Sequence, residues 1–353
     1  MKIALVHDDL VQRGGAESVF FHLSCIFPRA HIYTSVASGY WTYRFREKKI
    51  NTSFLQKLHK KLGVYRILTP LFPLAMESFN FDSYDLVISN SARYSHGIIT
   101  KPKTTHISYI HSPPRQLWSH IKFNGLLTTL PLSIGRIWDF IASTRPDILL
   151  CNSKTPQSRI KKYWNRDSII LYPYVKNIFF TCKESKGSYY LIVSRLAKWK
   201  NIDIAIEACN KLNLNLKIVG DGPDKKRLEI LGKSNVRFLG RINEDKLIKC
   251  YQESIALIVP QEEDFGIISL EAQACGKPVI AYAKGGVLET VIKGKTGEFF
   301  YENDSESLCS VLRSFDPGLY SRNDCINNAR LFDQKTFDEK LLNIVGNLFN
   351  AKL

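Results

Sequence analysis

The stretch Gln261–Gly286, QEEDFGIISLEAQACGKPVIAYAKGG, follows SIALIVP, an apolar run of strand length that ends at Pro260. From Ile268 to Cys275 the composition is that of a helix, and Gly276-Lys277-Pro278 stops it. Glu263 therefore falls in a loop at the carboxyl end of a strand, and Glu271, eight positions on, falls in the first turns of the next helix. In open α/β sheets that crevice is where ligands bind. Backbone N–H groups around Gly266, Ile267 and Ile268 would be unsatisfied donors at a helix start, suited to phosphate oxygens. Two carboxylates beside an anion site must bind something uncharged, and sugar hydroxyls meet that need. The plain alternative is a dipole-favoured charge at Glu263 and a solvated Glu271.

The remainder of the chain has to be compatible with such a site. At 353 residues, 44% hydrophobic and 23% charged, it has a globular composition and suits two domains. It contains no run of about 18 apolar residues, and MKIALVHDDL reaches acidic residues after one short strand, so neither a spanning helix nor a signal peptide is expected. The eight cysteines are scattered, with no C-x-x-C pair, and read as reduced residues of a cytoplasmic protein. The net charge of +16 is uneven: residues 1–176 hold 24 Lys and Arg against 10 Asp and Glu, and residues 177–353 hold 25 against 23. A basic first half facing a polyanion follows. With no helix-turn-helix, zinc-finger or RNP-type motif, nucleic acid is the weaker partner and an anionic membrane the stronger.

Lys2–His7 is a buried-type strand, and Gly14-Gly15 turns from it into the helix SVFFHLSCIF, where paired glycines let a ligand approach the backbone. The segment 44–66 is the most basic, and within it SFLQKLHKKLG places Phe54, Leu58 and Leu62 on one helical stripe. That helix is either packed in the core or lies on anionic lipid. His111 ends the strand Thr105–Ile110 at a proline loop, on the ligand side of a parallel sheet. Arg195 and Lys200, five apart across a loop after a strand, can converge on one anion. The fingerprint G-x-G-x-x-G is absent after the first strand, which counts against an NAD-type oxidoreductase. No Asp-x-Asp occurs, so a metal-chelated diphosphate is unsupported.

The segment EDFGIISLE followed by AQACGKPVIA resembles the signature of glycosyltransferase family 4, retaining nucleotide-sugar transferases of the GT-B fold, and is most similar to bacterial O-antigen and capsule mannosyltransferases. The likeness runs almost the whole length. HSPPR resembles the family's H-x-P segment, which implies that His111 lies over the transferred sugar. SRLAKWK resembles G-R-L-x-x-x-K, with Ser194 replacing Gly, and implies that Arg195 and Lys200 hold the donor diphosphate without metal. Gly14 and Gly15 resemble the glycine loop that meets the same diphosphate. Asn152-Ser153 resembles the family's helix-capping N-S segment. NVRFLG resembles V-x-F-x-G, making Val236, Phe238 and Gly240 a base pocket. Glu263 and the turn Phe265-Gly266-Ile267-Ile268 would take the sugar, and Glu271 the ribose.

The implied architecture is two facing Rossmann-like domains with a cleft between them. Residues 1–175 would bind acceptor and 176–332 the nucleotide-sugar, with a terminal helix over 333–353 packing back on the first. YPYV at Tyr172–Val175 resembles the interdomain Y-P-P-V, with Tyr174 in place of the second proline. The implied reaction is retaining hexosyl transfer, first from GDP-mannose, to a lipid-linked or cell-surface polysaccharide acceptor, at or near the cytoplasmic face of a membrane. A UDP-sugar donor is the alternative. A nucleotide-sugar or polyanion binding protein without turnover is the reading from another class.

Overall fold

The computed structural model describes residues 1–62, 66–119 and 126–350. The chain divides into two compact units, Met1–Leu171 and Tyr172–Leu353. Tyr172–Val175 thus groups with the second unit, where Val175 pairs with Asp333 and Tyr174 packs on Phe337 of the terminal helix Gln334–Asn350.

The first unit holds a seven-stranded sheet in the order β3-β2-β1-β4-β5-β6-β7. Its strands are β1 Ile3–His7, β2 His31–Thr34, β3 Ile50–Thr52, β4 Leu86–Ser91, β5 Thr105–Ile110, β6 Ile148–Cys151 and β7 Ile169–Ile170. The second holds a six-stranded sheet in the order β10-β9-β8-β11-β12-β13. These are β8 Tyr189–Val193, β9 Leu216–Val219, β10 Val236–Gly240, β11 Ser254–Val259, β12 Val279–Tyr282 and β13 Gly297–Phe300. Every pairing is parallel. Parallel strands need both faces covered, and the second unit shows how the sequence meets that. Alternate residues feed opposite layers: Leu191, Leu257 and Val279 enter one cluster, and Ile192, Ile258 and Ile280 the other. Both sheets are the doubly wound Rossmann type expected.

This order fixes where a ligand can sit. The connections run outward in opposite directions from β1 and β4 in the first sheet, and from β8 and β11 in the second. Each pair of strand ends therefore opens a crevice at its carboxyl edge.

Two expectations are corrected. Cys182 and Cys275 are joined as a disulfide across 93 residues, with Cα atoms 5.0 Å apart. The expectation of eight reduced cysteines failed because only the fold brings these two together. The basic helix spans Leu55–Leu62, so Phe54, expected on one stripe with Leu58, precedes the helix and stands 44% exposed, whereas Leu55 is fully buried and Leu58 packs beside it. Tyr65 and the side chains of Lys60, Lys61, Leu62 and Arg66 lie outside the described residues. Because Leu58 joins the Leu55, Leu68 and Phe72 core, Leu58→Asn is expected to destabilise the protein by about 1–3 kcal/mol in chemical denaturation. A change within a few tenths of a kcal/mol would mean that the helix is not held by this core.

Candidate active site

The second unit's crevice is built by two loops. The loop after β8 runs Ser194–Asn201, and the one after β11 runs Pro260–Gly266. Across the switch point, Lys200 Nζ lies 2.5 Å from Glu263 Oε1, and Gln261 Nε2 donates to the same oxygen at 2.5 Å. Lys200 is only 8% exposed, with its ammonium over the Trp199 ring at 4.3 Å; Arg195 is exposed at the loop's start. Sequence spacing placed Arg195, Lys200 and Glu263 at this edge, and the structure pairs the last two directly.

The loops are held by close backbone packing. Gly220 has φ +134, and a Cβ there would lie 1.8 Å from the Ser194 carbonyl oxygen, so the β8 and β9 loops meet without side chains between them. Gly286 N–H donates to the Glu263 carbonyl at 2.7 Å, and Gly285 pairs with Glu263 in a parallel bridge. The position of Glu263 is thus set by main chain on one side and by Lys200 on the other.

Gly266 adopts φ +89, the left-handed conformation, immediately before the helix Ile267–Ala274, and no side chain caps that helix start. The Phe265 ring is 4% exposed and packs on Tyr172 and Phe332, so only the backbone of Phe265 can reach a ligand. Ile267 and Ile268 pack partly into the same core. Val236 and Phe238 likewise turn their side chains to the core, and a register shift between Phe238 and Gly240 bulges β10 where Gly240, at φ +65, ends it. Gly220 N–H bonds the Gly240 carbonyl at 2.8 Å, tying the end of β10 to the β9 loop.

Glu271 is half-buried and accepts the Tyr251 hydroxyl at 2.8 Å. Burial pushes its carboxyl up to about 7, against the Tyr251 hydrogen bond and Lys176, which pull it down. The ordinary value is 4.5, so the folded chain holds this proton more tightly than the unfolded chain. The stability it contributes is full below about pH 4.5 and is lost as pH rises through about 7. Glu271→Gln should flatten the ligand-free melting temperature across that window. If Glu271 also takes two hydroxyls of a ribose, the substitution should weaken donor binding by roughly 1.5–3 kcal/mol. An unchanged pH profile together with unchanged donor affinity removes Glu271 from the site.

In the first unit the switch point is bridged by Asn90, at the end of β4. Its Oδ1 accepts from His111 Nε2 at 2.8 Å, and its Nδ2 donates to the Ala16 carbonyl at 2.9 Å, just past Gly14-Gly15. One side chain therefore brings His111 and the glycine turn together. His7, at the end of β1, contacts the Asn90 carbonyl through Nδ1 at 2.7 Å and faces Glu17 through Nε2 at 3.9 Å. Burial disfavours charge on His7, but Glu17, Asp8 and Asp9 outweigh it and hold its pKa above the ordinary value. Glu17 also receives the Gly14 N–H at 2.8 Å, which fixes the turn. Asn90, His7, Glu17, Tyr251 and Gln261 were not picked out from sequence. Asn90 had one available signal, its place at the end of the strand Leu86–Ser91.

Among the described residues no three His, Cys, Asp or Glu side chains gather as metal ligands would. The second unit's crevice offers Arg195, Lys200, two carboxylates and the uncapped helix start at Gly266, and the first unit's offers His111, Asn90 and a glycine turn, donors and acceptors suited to a phosphorylated, hydroxyl-rich molecule.

Comparison with known proteins agrees. Residues 157–332 match the family model described as "Glycosyl transferases group 1". An uncharacterized glycosyltransferase of Methanocaldococcus jannaschii is 29% identical over 212 residues, 58% of this chain and 60% of that protein. The chain thus spans less than two thirds of that relative. Among solved structures, Anabaena HepE in complex with UDP matches with a TM-score of 0.74 at 17% identity, covering 98% of this chain and 100% of that one. Sucrose-phosphate synthase of Thermosynechococcus elongatus matches with a TM-score of 0.76 at 16% identity, covering 99% and 100%. At these identities the structures speak for the fold alone, that of GT-B glycosyltransferases. The matched segment carries Arg195, Lys200, Glu263 and Glu271, and over that segment the chain is similar to the glycosyl transferases group 1 family.

Proposed function

We propose that the protein is a retaining glycosyltransferase that moves a hexose from a nucleoside diphosphate to a hydroxyl of a lipid-linked or cell-surface polysaccharide acceptor. The observation that carries this is the Lys200–Glu263 pair at the second unit's switch point, beside the uncapped helix start at Gly266. In this reading Arg195, Lys200 and the amides of Gly266–Ile268 take the diphosphate, whose charge grows as the glycosidic bond breaks. Glu263 and His111 take sugar hydroxyls, Glu271 the ribose, and the backbones of Val236, Phe238 and Gly240 the base. Gly14 and Gly15 meet the diphosphate. The basic first half faces an anionic membrane or acceptor from the cytoplasmic side.

The donor proposed first is GDP-mannose, on the resemblance of the Glu262–Val291 block to mannosyltransferases. UDP-sugars are the second reading, favoured by the UDP complex of the structural neighbour HepE. A thermal-shift panel of GDP-mannose, UDP-glucose, UDP-galactose and UDP-N-acetylglucosamine, run in EDTA, separates them. A donor at 100 times its Kd should stabilise by about 2.7 kcal/mol. No response to any nucleotide-sugar, with or without added Mg²⁺, would sink the proposal, and a response only with Mg²⁺ would sink its metal independence. Binding without transfer to any lipid or glycan acceptor would favour a non-catalytic binding protein.

A further inference from the structure

The helix Leu126–Ala142 in the first unit carries apolar residues on its outward face as well as its inward one. Its polar groups turn inward: Asp139 is fully buried and accepts from Trp118 Nε1 and Trp164 Nε1, each at 2.7 Å. Arg136 Nε donates to the Leu117 carbonyl at 2.7 Å, and Trp138 Nε1 to Glu77 Oε1 at 2.8 Å. Its outward face carries Leu130, Ile134, Ile137, Phe140 and Ile141, each between 45% and 61% exposed. The 130, 134, 137, 141 spacing makes one continuous stripe, and neither charge in that span faces outward from it. Scattered exposed apolar residues need no explanation, but a contiguous stripe of this kind marks a contact surface.

We propose that this face docks on an anionic lipid bilayer. Two occupants compete for an apolar helix face, a second copy of the chain and a lipid surface, and charge decides between them. Residues 1–176 carry 24 Lys and Arg against 10 Asp and Glu, and four of those acids, Asp8, Asp9, Glu17 and Asp139, are buried. A second copy would bring two strongly basic surfaces together. A stable dimer also needs about 800 Å² from each partner, more than five side chains on one helix supply. An anionic bilayer is complementary on both counts, since an interfacial helix sinks its apolar face into the headgroup boundary while nearby cations meet lipid charge. The basic helix Leu55–Leu62 belongs to the same layer, because Leu55 and Leu58 share a core cluster with Trp138, and Lys57 is exposed.

The inference extends the membrane-facing part of the proposed function and assigns that contact to the outward face of the helix Leu126–Ala142. The test is co-sedimentation of the full chain with phosphatidylglycerol/phosphatidylcholine vesicles at two salt concentrations, for wild type and for Ile134→Ser with Ile137→Ser. Both isoleucines are 60% exposed, so the variant should keep its melting temperature. Its partitioning should fall by on the order of a hundredfold. The wild type should bind pure phosphatidylcholine vesicles far less and lose binding to anionic ones at high salt. Equal binding by variant and wild type, absence of wild-type binding at low salt, or equal wild-type binding to neutral vesicles would each overturn the proposal. So would a wild-type dimer in sedimentation velocity that the variant reduces to monomer. The thermal response to nucleotide-sugar should be the same in both proteins; its absence from both would count against the transferase reading and leave the docking result standing.

Discussion

Lys200→Ala is expected to lower turnover by at least about a hundredfold, with a smaller rise in donor KM. Lys200 is nearly buried, and its ammonium is already fixed 2.5 Å from Glu263 before any donor arrives, so its charge needs no reorganisation when the leaving diphosphate develops its own. Groups of that kind act more on the transition state than on the ground state. Arg195 is exposed, so Arg195→Ala should do less. Removing Lys200 also strands Glu263, and breaking a buried pair costs roughly 3–5 kcal/mol, less where water reaches the carboxylate. Assays therefore belong well below the variant's melting temperature, with Lys200→Arg as the companion that keeps the charge. If Lys200→Ala raises KM and leaves kcat intact, the lysine binds donor in the ground state only. If Lys200→Arg fails as badly as Lys200→Ala while both remain folded, the site needs the compact ammonium and not the charge alone.

The parts of this site that could be read from sequence are those set by local order. A strand-length apolar run, a polar loop and a helix start fix Glu263, Gly266 and Glu271 relative to one another, because the parallel sheet puts every such loop on one edge. The same reasoning placed Arg195, Lys200 and His111. What escaped depends on contacts between segments distant in the chain. Asn90 meets His111 across 21 residues and Ala16 across 74, and Tyr251 meets Glu271 across 20, with no local pattern announcing either. The Cys182–Cys275 pairing is hidden for the same reason. Phe54 was misplaced because the helix begins at Leu55, so Phe54 precedes its first turn and does not share the buried face with Leu58. The outward face of Leu126–Ala142 was illegible for another reason. Apolar residues lie on both sides of that helix, so periodicity alone cannot say which side is buried.

Gly285→Ala is expected to cost roughly 3 kcal/mol or more of stability and to abolish donor binding at temperatures where the protein remains folded. Gly285 has φ +82, and a Cβ there would sit 2.2 Å from the Glu263 carbonyl oxygen, which is backbone and cannot swing away. The next residue repeats the constraint, since a Cβ on Gly286 would lie 2.3 Å from Phe265 Cα. Together the two glycines let the loop after β12 press against the loop carrying Glu263, and the Gly286 N–H to Glu263 carbonyl bond depends on that approach. A methyl group must push the loops apart, carrying Glu263 away from Lys200 and shifting Phe265 off Tyr172. Gly294 supplies the control. It too has a positive φ, +71, but nothing lies within 4 Å of its added Cβ, so Gly294→Ala should cost only the left-handed penalty of about 1–2 kcal/mol and leave donor affinity unchanged. Chemical denaturation of both variants beside donor titration reads the difference. Equal stability loss in the two would mean that backbone conformation alone, and not the closeness of the two loops, is what Gly285 provides.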